Sequence, residues 1–293
     1  MMETPPVYRF DEAKHIHYLN GKRVPGVSTI AKLCEDSSTP LMYWSAKMAI
    51  NCLSTHSTFK DGKLFFCYPP VRNNETGELI YRDNPYIEVN EENYKEIYNF
   101  AKKEHTREKD SAADRGTRIH DILHKYFLNE PYEVQPDIQK SFDAFEEWVE
   151  KFKVRAIYTE QTVYSLKHKY CGIYDLGSII TMPETGEERK LLVDYKSSKS
   201  VYLSYMVQSA GYKIAHEEMD GPLWDGLGIL TLQPETGYPL WLDFTGHTEE
   251  LEQAFLSCLQ LYQSMKPVSR LRYKHKSELD KALALLKEAQ NGS

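Results

Sequence analysis

In the stretch LLVDYKSSKS, an apolar run ends in Asp194 and Lys196 and then breaks into a serine-rich turn. Side chains alternate along a strand with period two, so an extended LLVDYK puts Asp194 and Lys196 on one side and Tyr195 on the other. Taken alone, such a pair reads as an exposed strand end carrying a weak surface ion pair. The preceding run, CGIYDLGSII, changes the picture. There Asp175 stands alone among apolar neighbours such as Ile173 and Leu176, and Gly172 leaves room for close approach of another backbone. An acid inside an apolar strand costs free energy unless something pairs with it. If the two runs form a hairpin across PETGEE, Asp175 and Asp194 reach the same end of one sheet, with Lys196 beside them. Two carboxylates and a lysine so placed suit a hard divalent cation, with the lysine positioned to orient or activate a water.

Two helical stretches add further candidates. In DRGTRIHDILHKYF, Ile119, Ile122, Leu123, Tyr126 and Phe127 mark the core face of a helix and His120 sits at its edge, one turn after Gly116. The glycine would let another backbone or a phosphate approach. His124 lies one turn beyond His120, which admits a zinc reading, but no HExxH arrangement or cysteine partner accompanies the pair. A plain core-edge histidine is the alternative. In MVQSAGYKIA, Gln208 and Tyr212 share one helix face directly after the D-x-K strand, a spacing equally suited to packing.

The elements that must position these residues are legible in outline. Asn20-Gly21 predicts a type I′ hairpin near the start. From Val27 two packing helices follow, divided by EDSSTP, the second carrying Leu41, Trp44, Met48 and Cys52 at helical spacing. Residues 60–90, rich in Asn, Pro and Gly between short aromatic runs, predict an inserted hairpin or flap. Its aromatics Phe65, Phe66 and Tyr68 suit packing better than base stacking. Helix resumes around EENYKEIYNF and continues to HKYFL, with an interruption expected near Ser111, and another helix covers PDIQKSFDAFEEWVEKF. Between Val154 and Lys196, three runs predict an antiparallel meander. A helix, two strands and helices at about 249–264 and 277–290 complete the pattern of an α/β (α+β) chain, a central mixed sheet flanked by helices. The whole reads as one domain, 1–293, with an N-terminal hairpin and helices (1–58), the insertion (60–90), a core (110–265) and a C-terminal helix (277–290).

Composition bounds the function. The 293 residues are 41% apolar and 12% aromatic, enough for a sizeable core, and no apolar run approaches a membrane span. The N-terminus lacks the order of a signal peptide, so a cytoplasmic protein with no membrane partner is expected. Cys34, Cys52, Cys67, Cys171 and Cys258 are scattered without C-x-x-C spacing, which argues against a zinc ribbon, an iron-sulfur cluster or a disulfide scaffold. The formal charge of −7 gives no general attraction to nucleic acid, so DNA binding would need local basic clusters or metals that offset acids. The stretches KPVSRLRYKHK (Lys266, Arg270, Arg272, Lys274, Lys276) and SLKHKY (Lys167, Lys169) offer such clusters, or are solvated surface.

The order G-x-x-x-H (Gly116 to His120), G-x-x-D (Gly172 to Asp175), D-Y-K (Asp194 to Lys196) and Q-x-x-x-Y (Gln208 to Tyr212), on helix, strand, strand and helix, resembles the RecB-type branch of the PD-(D/E)XK nuclease superfamily. The resemblance covers roughly Val27 to Tyr262. The segment GVSTIAKLC to LMYWSAK is also similar to the N-terminal helices of phage exonucleases and of the mitochondrial genome maintenance exonuclease. The resemblance implies a restriction-endonuclease-like core in which His120, Asp175, Asp194 and the Tyr195 backbone carbonyl bind one or two Mg²⁺ or Mn²⁺ ions. Lys196 would position the attacking water and stabilise the developing phosphorane charge, with Asp175 and Asp194 in the catalytic set. Glu160, in the strand before Asp175, matches an acidic position of these nucleases and would join the catalytic set; a surface strand glutamate is the alternative. Gln208, Tyr212 and Gly116 would support the site or hold the DNA backbone, together with Arg270, Arg272 and Lys274.

The implied activity is metal-dependent DNA exonuclease action on single strands or duplex ends, in phage or bacterial recombination, repair or replication. A single-strand annealing or binding protein would be a further partner. The alternatives are a structure-specific endonuclease of the same superfamily and a non-catalytic DNA-binding subunit. The four cysteine ligands of the family's iron-sulfur members have no counterpart here, so no such cluster is expected.

Overall fold

A computed structural model of the chain describes residues 6–35, 38–73, 78–198, 200–233 and 236–291. It opens with a three-stranded antiparallel sheet, β1 (Tyr8–Asp11), β2 (Ile16–Leu19) and β3 (Lys22–Val24). Asn20 and Gly21 join β2 to β3 with φ of 51° and 73°, the left-handed pair that a type I′ turn requires. The expected hairpin is present, with one strand more. Helix α1 (Val27–Ala31) buries Val27, Ile30 and Ala31, and α2 (Ser38–His56) follows. Only part of α2 is a packing element: Cys52 is buried, but Leu41, Met42, Tyr43 and Ile50 are exposed.

The insertion begins slightly earlier than expected, with β4 (Ser57–Lys60). It continues through β5 (Lys63–Cys67), the short hairpin β6 (Val71–Arg72) and β7 (Leu79–Ile80), and β8 (Tyr86–Glu88). Strands β4, β5 and β8 form one sheet, and α3 (Tyr94–Lys102) closes a small separate core around Cys52, Phe66, Tyr68, Ile97 and Ala101. Phe66 and Tyr68 are buried and Phe65 stacks on Tyr86 at 5.1 Å, so these aromatics pack the flap.

Helix α4 (Glu104–Leu128) then runs without the interruption expected near Ser111. The break falls at Lys103, whose φ and ψ are −88° and 2°. Ser111 is accommodated because its hydroxyl accepts a hydrogen bond from the Arg115 guanidinium one turn on, 2.7 Å away, instead of competing for the backbone.

After α5 (Gln139–Phe152) come the three long strands of the meander, β9 (Arg155–Ser165), β10 (Tyr170–Thr181) and β11 (Glu188–Lys196). Helix α6 (Leu203–Glu218) then crosses to β12 (Gly226–Leu232), which lies parallel to β11, and β13 (Pro239–Asp243) pairs antiparallel at the edge. The strand order is β13-β12-β11-β10-β9, and the parallel step exists because the helical crossover returns the chain to the same end of the sheet. One face of this mixed sheet packs on α1, α6 and α7 (Thr248–Asn291) through Leu192, Val207, Leu227 and Phe255. The other packs on α4 and α5 through Leu123, Phe145, Trp148, Val193 and Leu230. The molecule is a mixed α/β protein with helices on both faces of its central sheet.

Helix α7 joins the two C-terminal helices expected at 249–264 and 277–290 into one, running through Pro267. A proline inside a helix removes a backbone donor and crowds the preceding turn. Residues 263–281 are all exposed, so water can satisfy the freed carbonyl, and the flanking Leu, Arg, Lys and Glu favour helix. Among the described residues, no helix is long and apolar enough to cross a membrane.

Candidate functional site

Strand β11 keeps the period-two alternation to its end. Leu191, Val193 and Tyr195 join the cluster under α4 and α5, while Leu192 joins the opposite one. Asp194 and Lys196 therefore share the α6 side. The Gln208 amide on α6 donates to Asp194 Oδ1 at 3.0 Å, and Lys196 Nζ forms an ion pair with Asp194 Oδ2. Lys196 Nζ also lies 5.0 Å from the centre of the Tyr205 ring. Asp194 is only 1% exposed, so this is a desolvated pair rather than a surface one.

Strand β10 does not keep the alternation. Tyr170, Gly172 and Tyr174 face α6, as the period requires, but Leu176 then faces α5 and Gly177 faces Trp224 on the α6 side again. The same slip occurs in β9, where Val163 and Tyr158 both meet the α6-side cluster although five residues apart. The ladder between the strands pairs Tyr174 with Gln161 and Leu176 with Thr159, and is interrupted between them at Asp175 and Glu160. Glu160 has φ of +49°, a left-handed conformation that costs a non-glycine residue free energy. Distortions of this kind recur beside active sites, where they re-aim side chains.

At this interruption Asp175 and Glu160 both face α4. Asp175 Oδ1 is 3.2 Å from His120 Nδ1, and Asp175 Oδ2 accepts a 2.6 Å hydrogen bond from the Tyr195 backbone N–H. Glu160 Oε1 is 4.0 Å from the same imidazole nitrogen. One ligand atom from each of His120, Glu160 and Asp175 lies within 4.8 Å of the others. Asp194 stands beside this group, held by Lys196 and Gln208. The Tyr195 side chain lies on the α4 side, opposite Asp194 and Lys196, its ring edge-on to His120 at 5.8 Å. His124 hydrogen-bonds Thr159 at 3.0 Å and takes no part in the cluster, which removes the zinc reading of the histidine pair.

The charges are strongly interdependent. Burial pushes Asp194 up to about 6, opposed by Lys196. Burial works against ionised Asp175 too, but the His120 imidazolium, Lys196 and the Tyr195 N–H together hold its carboxyl below the usual range. Burial likewise opposes the charged form of His120 and is outweighed by Asp175, so the imidazole is raised. Glu160 is pushed up to about 7 by burial first and by the charge of Asp175 second.

That last shift predicts a pH-dependent stability. A carboxyl raised from 4.5 to about 7 in the folded chain contributes stability that is complete below its ordinary value and is lost as pH rises through 7. The full shift would amount to about 3 kcal/mol, which solvent screening of a side chain 35% exposed reduces to about 1 kcal/mol. Glu160→Gln is therefore expected to stabilise the protein in metal-free buffer at pH 8 by about 1 kcal/mol, with no gain near pH 4. Denaturant melts at the two pH values check this, and an equal effect at both would contradict it.

Tyr212 is only 6% exposed and lies over Gly172, so it supports the site from beneath rather than touching a substrate. A Cβ at Gly172 would come 2.5 Å from the Tyr212 ring and 2.9 Å from Val27, so the glycine makes room for an aromatic ring, not for a backbone. Gly172→Ala is expected to cost about 1–3 kcal/mol by overpacking, readable as a lowered urea midpoint with unchanged slope. Gly116 differs. A Cβ there would meet only Ser197 Oγ at an ordinary 3.5 Å, so the chain's own packing does not require a glycine.

Arg270, Arg272 and Lys274 are not brought to the cluster; they lie on the exposed half of α7. Their direction is nevertheless set. Thr245, just before α7, lies against Gly226 at the far end of the sheet, and the Gln263 amide donates to the His168 carbonyl at 3.2 Å. His168 is in the β9–β10 turn, at the same end of the sheet as Lys196, so the basic half of α7 continues past the end that carries the site. Tyr205 was not among the sequence candidates. It lies one turn before Gln208 on the stripe that continues to Tyr212, a signal available in the spacing.

No protein-family model matches the chain, and no curated protein gives a significant match.

Proposed function

We propose that the protein is a divalent-metal-dependent DNA exonuclease of the RecB-type PD-(D/E)XK kind, acting on single strands or duplex ends. The observation that carries this reading is the buried Asp194–Lys196 pair at a strand end, adjoining His120, Glu160 and Asp175. A merely structural salt bridge has no need of two further carboxylates and an imidazole beside it. The cost of crowding them is visible in the raised carboxyls and the left-handed Glu160.

The residues fit a hard cation. Asp194 Oδ2 is buried and paired with the Lys196 ammonium, so the carboxylates of Glu160 and Asp175 and the His120 imidazole are the donors that face one another. Carboxylate oxygens with one imidazole suit Mg²⁺ or Mn²⁺. His120, Glu160 and Asp175 would hold the ion, with Asp194 and the Tyr195 carbonyl adjoining. When bound, it makes a water more acidic and offsets charge on the phosphate.

The chain's own residues supply the rest. Burial opposes the charge of Lys196, but Asp194 and Asp175 hold its ammonium above the ordinary value, so at neutral pH it donates hydrogen bonds and does not accept a proton. It is placed to orient the attacking water and to stabilise charge growing on a phosphate oxygen. Gln208 fixes the rotamer of Asp194. Lys167 and Lys169 in the β9–β10 turn and the basic run of α7 lie toward the site end of an otherwise acidic protein, where they would engage the DNA backbone. The likeness of the N-terminal segment to phage exonucleases favours action from an end.

End-labelled linear single-stranded DNA and closed circular single-stranded DNA, each incubated with Mn²⁺ and with EDTA, test the reading. Nucleotide release from the linear substrate alone, stopped by EDTA, is the expected result. Cleavage of the circle would make the protein an endonuclease, and release from neither would leave a DNA-binding subunit.

A further inference from the structure

Tyr202 occupies the N-cap position of α6 with extended backbone, φ −97° and ψ 150°. Serine, threonine, aspartate and asparagine are preferred there because their side chains accept hydrogen bonds from the first helical N–H groups. The tyrosine makes no such bond. Glu35 supplies the acceptor instead, taking bonds from the Ser204 N–H at 3.4 Å and its hydroxyl at 2.9 Å. Helix capping therefore does not explain the ring, and neither does burial, because Tyr202 is 45% exposed.

Its position does suggest a use. The Tyr202 ring packs edge-on against Tyr205 at 5.2 Å, and the Tyr205 ring lies 5.0 Å from Lys196 Nζ. A ladder thus leads from the buried lysine toward solvent, and its outer rung is the exposed Tyr202 ring beside the exposed Leu203. Aromatic faces beside a phosphate-binding cation bind unpaired nucleotides with little regard to sequence, since every base has a π-face. In a duplex those faces are covered by neighbouring bases.

We propose that Tyr202 is a stacking platform for an unpaired base of the DNA strand whose phosphate lies at Lys196, so that the site takes a single-stranded end. The proposal deepens the nuclease reading and rests on it for the position of the phosphate. Tyr202 is a positioning residue: it holds the strand and leaves the chemistry to the groups beneath.

The test compares wild type, Tyr202→Ala and Tyr202→Phe in Mn²⁺-dependent nucleotide release from a linear single-stranded oligodeoxyribonucleotide. Thermal melts serve as folding controls. Tyr202→Ala is expected to raise KM about tenfold and change kcat less than about twofold. Tyr202→Phe keeps the ring and is expected to match wild type. An unchanged KM in Tyr202→Ala, or a Tyr202→Phe variant as impaired as Tyr202→Ala, would overturn the proposal. Tyr202→Trp adds a readout that needs no cleavage: its extra fluorescence over wild type is expected to be quenched when the oligonucleotide binds. Quenching without cleavage by the wild type would uphold the platform and remove the nuclease reading, whereas absence of both would remove both.

Discussion

Lys196→Met is expected to lower the rate of phosphodiester cleavage by about 10³-fold while Mn²⁺ still binds. The ammonium is ion-paired with Asp194, and its neighbours hold it protonated. It is thus a donor fixed in place before the substrate arrives, in a site with little water to compete. Removing a single preorganised donor of this type typically costs 10²–10³ in kcat, and more where it carries full charge. Methionine keeps an unbranched side chain of similar length, so the loss reads charge rather than packing. His120, Glu160 and Asp175 are untouched, and Mn²⁺ titrated calorimetrically should bind within a fewfold of wild type. A variant that cleaves at the wild-type rate would remove Lys196 from the mechanism. One that loses metal binding in equal measure would recast it as a structural support.

The second large effect concerns stability. Asp194→Asn leaves the Lys196 charge in a mostly buried position without its main partner. Breaking a buried ion pair on one side commonly costs about 3–5 kcal/mol. Because Lys196 is 17% exposed and still faces Asp175, about 3 kcal/mol is expected. The double variant Asp194→Asn/Lys196→Met removes both charges together. It is expected to be at least as stable as wild type in metal-free buffer, since neutral side chains of similar volume avoid the desolvation that the pair pays. Urea unfolding of the single and double variants measures the difference. A double variant as unstable as the single one would show that the pair serves the fold, contrary to a site kept for chemistry.

How much of this was legible in the sequence varies with how local the rule is. The faces of β11 follow from alternation alone, and Asp194, Tyr195 and Lys196 point as LLVDYK requires. The hairpin at Asn20-Gly21 is equally local, because two left-handed residues leave few alternatives. The slip at Glu160 and Asp175 is a property of two paired strands. Nothing in CGIYDLGSII or YTEQTVYS marks it, and it falls at the two acids that meet His120. Gly172 was legible as a site of close approach, but what approaches is the Tyr212 ring from α6, a tertiary fact. Tyr205 was within reach, one turn before Gln208. The two helices expected at 249–264 and 277–290 are one because an exposed helix tolerates a proline, here Pro267, that a buried one would not. Where the local rules failed, at a strained glutamate and a buried acid, they failed at the candidate site, where proteins commonly break them.

The most direct measurement of the central claim is release of end label from linear single-stranded DNA at a fixed Mn²⁺ concentration, by wild type and by the Asp194→Asn/Lys196→Met double variant. Wild type is expected to degrade the DNA, and the double variant, folded and at least as stable, is expected to release nothing above background. Equal release by the two proteins, or none by wild type, would contradict the assignment of DNA cleavage to the end of β11.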